Sequence, residues 1–172
     1  MVAIVNTYKQ SMPSTRFIGM KYGDEDRVNG SFGAKWHEWI ETGRFEKLPP
    51  ITEDFRQAYE DYDASIGLMR WKAGEKFEYW IGMFLPEGTT VPEGFESIDF
   101  PASNLGVCWL QGKESELFGI EDTCAQKLRA DGFEVVTDEE GALWFFERYG
   151  NPRFTQPDEN GNSILDICHF VK

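Results

Sequence analysis

The sequence predicts an α+β fold. It is a pseudo-twofold duplicated module, with a mainly antiparallel sheet and two main helices on one face. Three observations carry this. The order strand-strand-helix-strand-strand occurs twice along the 172 residues. Short echoes recur in corresponding elements of the two halves. The chain is 41% hydrophobic and 15% aromatic, enough for a sizeable core. The expected organisation is a single domain over residues 1–172, with half-modules of about 1–88 and 89–172.

Val2 to Lys9 and Arg16 to Tyr22 are rich in β-formers and flank a turn at Ser11-Met12-Pro13-Ser14, a hairpin signal. From Ser31 to Thr42 the period becomes helical. Phe32, Trp36, Trp39 and Ile40 share a face, and Gly43 is the stop. Pro49-Pro50 breaks the chain, and Glu53 to Tyr59 is a short helix. Ser65 to Lys72 and Phe77 to Leu85 are strands about the turn Ala73-Gly74. The second alternates Phe77, Tyr79, Ile81, Met83 and Leu85 against Glu78, Trp80, Gly82 and Phe84. Both faces are largely apolar, which marks a central, covered strand.

The Pro- and Gly-rich segment from Pro86 to Gly94 joins the halves. Phe95 to Phe100 and Leu105 to Leu110 are strands. Ser115 to Ala130 is a helix with Leu117, Ile120, Cys124 and Leu128 inward and Gly132 as its stop. Ala142 to Tyr149 and Ser163 to Val171 are strands, and Asn160-Gly161 is a turn dipeptide between them. Three echoes argue for duplication. Ile18-Gly19-Met20-Lys21-Tyr22 resembles Leu105-Gly106-Val107-Cys108-Trp109. Phe32-Gly33 resembles Phe118-Gly119. Phe77-Glu78-Tyr79-Trp80 resembles Phe146-Glu147-Arg148-Tyr149.

Thirty acidic residues against 17 Lys and Arg give a net charge of −13 and a pI near 4.6. Nucleic acids and anionic membranes are polyanions, so neither is an expected partner. No run of about 18 apolar residues predicts a membrane span. The N-terminus lacks a basic region and reads as a strand rather than a signal peptide. Cys108, Cys124 and Cys168 are odd in number and widely spaced, as in reduced cytoplasmic proteins. There is no C-x-x-C, H-E-x-x-H, Walker-type loop or G-x-G-x-x-G, and no metal or cofactor is expected. Cys168 and His169 are strand neighbours and point to opposite faces, which speaks against a Cys-His nucleophile.

The informative feature is a carboxylate set among rings. On the strand from Ala142 to Tyr149, Glu147 shares a face with Leu143, Phe145 and Tyr149. Glu78 flanks Trp80 in the same manner. Two readings stay open. Glu147 either meets solvent or a base such as Lys72 or Arg70, or it forms the floor of an aromatic pocket that awaits a cation.

These residues resemble the GyrI-like family, the effector-binding domain of AraC-type and MerR-type multidrug regulators, as a stand-alone member. The resemblance spans about Val2 to Val171. It is carried by Phe17-Ile18-Gly19, by Phe77-Glu78-Tyr79-Trp80-Ile81-Gly82, and by Val91-Pro92-Glu93-Gly94-Phe95 running on to Ile98-Asp99-Phe100-Pro101-Ala102-Ser103. Phe146-Glu147-Arg148-Tyr149 followed by Ile164 to Val171 completes it. The resemblance implies a pseudo-twofold fold that binds hydrophobic, often cationic, drug-like molecules in a groove between helices. It also implies a late-strand glutamate, here Glu147, that meets the ligand's charge. The regulators' helix-turn-helix segment has no counterpart here, so direct transcriptional regulation is not expected.

The expected lining is Glu147, Tyr149, Phe145, Trp80, Glu78, Trp39, Trp36, Trp109 and Phe84. Trp80 and Tyr149 are included because they hold echoed positions, and Trp36 and Trp39 also suit plain core packing. Three functions compete. The first is a binding module for hydrophobic or cationic aromatic small molecules. The second is a hydrolase opening cyclopropane-type alkylating compounds, known among similar aromatic-rich members. There Glu147 would handle a water and Tyr149 a developing oxyanion. The third is an acidic protein-interaction module such as a gyrase inhibitor.

Overall fold

A computed structural model describes all 172 residues. The strands are β1 (Ala3–Met12), β2 (Thr15–Tyr22), β3 (Ser65–Trp71), β4 (Glu78–Pro86), β5 (Glu96–Phe100), β6 (Ser103–Gly112), β7 (Leu143–Tyr149) and β8 (Ser163–Val171). The helices are α1 (Gly33–Glu41), α2 (Glu53–Ala58) and α3 (Glu121–Ala130). All eight strands form one antiparallel sheet in the order β1-β6-β8-β7-β3-β4-β2-β5.

The expected β1–β2 hairpin does not form. β1 pairs with β6, and β2 pairs with β4 and β5. A two-residue hairpin turn needs residues that accept positive φ, and Pro13-Ser14 supplies none. Pro13 also holds Met12 extended, so the chain runs straight on from β1 into β2. Pro101-Ala102 links β5 to β6 in the same way, and each half thereby lends its first strand to the other. β1 and β2 stand six places apart in the sheet. Laid flat, that is about 29 Å at about 4.8 Å per strand. Three Cα steps span at most about 11 Å. The sheet therefore curls until its edges approach, where the Ala102 N–H donates to Ser14 Oγ at 3.1 Å. On the inner side of the curl Gly19 pairs with Gly82, and a Cβ on either would run into the other strand's carbonyl.

The ladders repeat the pseudo-twofold residue by residue. Phe17 pairs with Phe84 where Leu105 pairs with Phe170, and Ile81 pairs with Gly67 where Ile167 pairs with Glu147. Gly67 and Glu147 pair with each other, so the axis passes between them. Two echoes need correction against this register. The counterpart of Gly106 is Ile18, not Gly19, and a slip of one residue exchanges faces. The counterpart of β4 is β8, so Trp80 corresponds to Asp166 and not to Tyr149.

Paired residues share a face, which sorts the side chains. Ile81, Gly67, Glu147, Ile167 and Cys108 form one row on the outer face. Trp80, Leu68, Phe146, Cys168 and Val107 form the adjacent row on the inner face. The inner side holds the main core, closed by Phe55 and Tyr59 at α2. There Phe100 of β5 stacks on Phe170 of β8 at 5.3 Å although the strands are five places apart.

Both main helices lie on the outer face, one per half. Phe32 and Trp39 of the α1 segment pack on Tyr22, Met69, Tyr79 and Ile81. Cys124 of α3, with Leu117 just ahead of the helix, packs on Cys108, Leu110, Leu165 and Ile167. Ile40, expected in the buried stripe, is 69% exposed, since the short helix meets the sheet along Phe32, Trp36 and Trp39. α3 begins at Glu121 rather than Ser115, because Gly119 at φ +79° interrupts the preceding 3-10 turn. All three cysteines are buried and unpaired. No helix is long and apolar enough to cross a membrane.

Candidate functional site

The outer cores of the two halves leave a cleft between α1 and α3, above the centre of the sheet. It is a cavity of about 1250 Å³. β7 delivers three side chains to it by simple alternation: Phe145, Glu147 and Tyr149. Glu147 is only 5% exposed. No lysine, arginine or histidine lies within 4 Å of its carboxylate. Arg70 sits on the inner face and pairs with Glu75 at 3.2 Å, Glu78 at 3.6 Å and Glu140 at 3.5 Å, and Lys72 pairs with Glu75 at 3.0 Å. The basic partners open to Glu147 in the sequence are thus committed elsewhere.

What Glu147 has instead is a tyrosine. The Tyr79 hydroxyl donates to Glu147 Oε1, and Trp36 Nε1 donates to the Tyr79 oxygen at 2.8 Å. The relay runs from α1 through β4 to β7. Phe32 stacks flat on Tyr79 at 4.2 Å, Trp36 meets Tyr149 edge-on at 4.9 Å, and Phe154 backs Tyr149 at 4.8 Å. Burial pushes the Glu147 carboxyl up to about 7, against the pull of hydrogen bonds from Tyr79 and Tyr149 and with a further push from the Glu121 charge. Burial and the neighbouring Glu147 charge raise both tyrosines well above the ordinary phenol range.

Gly67 makes the arrangement sterically feasible. It lies across the axis from Glu147, and a Cβ there would stand within about 3 Å of both the Glu147 carboxylate and the Tyr79 hydroxyl. Only one of the two axial positions can carry a side chain. Gly67→Ala is therefore expected to break the Tyr79–Glu147 bond, at a stability loss of about 1–3 kcal/mol by thermal melt. An unchanged melt and unchanged Trp36 emission would show the pair to be freely displaceable.

The structure brings Glu147, Tyr149, Phe145 and Trp36 together at the cavity. The other expected lining residues lie elsewhere. Trp39 is fully buried beneath α1, and its Nε1 donates to the Tyr22 hydroxyl at 2.9 Å. Trp80 and Phe84 are inner-core residues packed edge-on against Phe17 at 6.2 and 5.3 Å. Glu78 is on that same inner side, accepting from Trp80 Nε1 at 3.1 Å. Trp109 is also inner, edge-on to Tyr8 at 5.6 Å. Residues one apart on β4 and β6 face opposite ways, so these placements follow from register alone. Tyr79, Gly67, Phe77, Phe118 and Phe154 are the site residues not singled out from sequence. Local signals exist for three of them: Phe118 echoes Phe32, which also lines the cavity, and Phe77 and Tyr79 lie in the echoed segment Phe77-Glu78-Tyr79-Trp80.

The charges around the cavity are one-sided. Asp63, Glu114, Glu121 and Asp122 line it together with Glu147. Its arginine, Arg27, pairs with Asp24 at 2.8 Å and lies over the Phe32 ring at 4.4 Å. Its one histidine, His37, faces Glu41 at 3.0 Å. An aromatic wall over a buried carboxylate, with an acidic rim, is chemically suited to a hydrophobic cation.

No family model and no curated protein matches the chain. Solved structures do. SAV2435 bound to tetraphenylphosphonium is similar at 17% identity and a TM-score of 0.67, over 98% of this chain and 94% of that one. The C-terminal domain of EcmrR is similar at 11% identity and a TM-score of 0.55, over 97% of both chains. An integron cassette protein from the mobile metagenome of Vibrio cholerae is similar at 10% identity and a TM-score of 0.52, over 99% of both. The likeness is one of fold, an α+β architecture on an open antiparallel sheet.

Proposed function

We propose that this protein is a GyrI-like small-molecule receptor that takes hydrophobic aromatic cations into the cavity between α1 and α3, for sensing or sequestration. The carrying observation is Glu147: a buried carboxylate on the pseudo-twofold axis, walled by rings and without a basic partner. An unpaired buried charge is costly, and an incoming cation removes that cost while stacking on the rings. The tetraphenylphosphonium bound by the similar SAV2435 is a ligand of this chemistry.

The test is a titration with tetraphenylphosphonium, followed by calorimetry and by Trp36 emission. The expected result is micromolar binding, about −8 kcal/mol, with quenching that disappears in Trp36→Phe. No heat and no emission change across a panel of aromatic cations would reject the reading.

The hydrolase reading draws on one observation. A carboxyl titrating near 7 beside a tyrosine hydroxyl is in the range of a general base. Turnover of a cyclopropane-bearing alkylating compound, lost in Glu147→Gln, would favour it over simple binding. Stoichiometric binding without product would leave the receptor.

A further inference from the structure

The cavity holds more negative charge and more space than one compact monocation uses. Its volume of about 1250 Å³ exceeds the roughly 300–1000 Å³ usual for a single drug-sized ligand. Glu147 sits at the axis, on the floor. The α3 side of the wall adds Glu114, Glu121 and Asp122, with the exposed ring of Phe118 between them. Asp122 is engaged by Gln126 Nε2 at 3.0 Å, whereas Glu121 has no cation within 4 Å and accepts no side-chain hydrogen bond. Glu121 lines the same cavity as Glu147, Tyr79 and Tyr149, and its charge adds to the burial that raises the Glu147 carboxyl. On the α1 side the helix itself adds no carboxylate to the lining. Arg27 and His37 stand there, each beside its own carboxylate.

Resting on the receptor reading, we infer that the preferred ligands are elongated aromatic dications. One positive centre sits at Glu147 between Trp36, Tyr79 and Tyr149, and the second reaches Glu121 at the start of α3. A monocation at the floor leaves Glu121 uncompensated beside the aromatic wall of Phe118 and Phe154. A dication neutralises both carboxylates and fills more of the one cavity they share. Acidic residues in the first turn of α3 also complement its helix dipole. That role alone gives no preference between ligands, so ligand selectivity separates the two.

The experiment compares p-xylylene-bis(triphenylphosphonium) with the same molecule in which one phosphonium is replaced by a neutral triphenylmethyl group, and tetraphenylphosphonium serves as reference. The dication is expected to bind at least tenfold more tightly than its length-matched monocation. In Glu121→Gln that advantage should collapse to less than threefold, because the dication loses more affinity than tetraphenylphosphonium does, and a cooperative thermal melt should show the variant still folded. The advantage should persist at 1 M salt, where a diffuse acidic surface is screened beyond about 3 Å. Equal affinities for the matched pair would overturn the inference, as would an advantage that survives Glu121→Gln or vanishes in salt. In those cases tetraphenylphosphonium still binds and the receptor reading stands. If no phosphonium binds at all, the receptor reading fails, and this inference fails with it.

Discussion

Replacing Glu147 by glutamine is expected to weaken tetraphenylphosphonium by about 10- to 100-fold. The substitution keeps size and shape but removes a charge-assisted contact worth about 1.5–3 kcal/mol. A neutral triaryl ligand should be almost unaffected. The same carboxyl sets a pH dependence. Burial places it at about 7 in the free protein, and a bound cation holds it ionised. Affinity should therefore be flat above pH 7 and fall as pH drops through 7, approaching about tenfold per unit well below it. In Glu147→Gln the profile should be flat. Stability moves the opposite way. The folded-state value is raised from 4.5, so the folded protein holds its proton more tightly than the unfolded chain. This contribution is complete below about pH 4.5 and is lost as pH rises to about 7, amounting to about 3 kcal/mol. Glu147→Gln should thus melt higher than the parent at pH 8 without ligand, less whatever the Tyr79 bond contributes. A variant that loses neutral and cationic ligands alike, or melts lower at pH 8, would identify Glu147 as a structural partner.

The second large effect belongs to the opposite face of β7. Arg148 is fully buried and ion-paired to Asp166 at 2.7 Å and Asp61 at 3.2 Å. It also donates to Gln10 Oε1 at 2.7 Å and the Tyr59 hydroxyl at 3.0 Å. Arg153 completes the cluster on both aspartates. Burial pushes the Asp61 carboxyl up, but the Arg148 charge and hydrogen bonds from Gln10 and Arg153 outweigh it and leave it below the usual range. Arg148→Met removes one of two cations facing two buried carboxylates. The expected cost is about 3–5 kcal/mol, because an uncompensated buried charge remains. For a chain of this size that lowers Tm by roughly 10–15 °C. Phosphonium binding at a temperature where the variant is folded should change little, since Arg148 and Glu147 point to opposite faces of the sheet. A melt within about 2 °C of the parent would show the cluster to be well solvated.

The two effects come from adjacent residues, and the contrast marks what each level of information decided. Local sequence determined the alternation of β7, and with it the placement of Glu147 between Phe145 and Tyr149, because a strand's period of two is a property of the chain alone. It also determined the repeated order of elements, the span of α1 and the position of α2. The composition determined that rings would dominate both faces. Tertiary structure decided the rest. Alternation separates Tyr79 from Trp80 but does not say which of them looks toward Glu147. That depends on β3, which pairs Ile81 with Gly67 and Gly67 with Glu147, and so puts Tyr79 in the cavity and Trp80 in the core. The exchange of β1 and β5 between halves was likewise hidden, since two strands joined by two residues suggest a hairpin until the rest of the sheet competes for their edges. Gly67 was an unremarked strand glycine in the sequence. Its role exists only because the pseudo-twofold axis sets it against Glu147, where two side chains cannot occupy the same space.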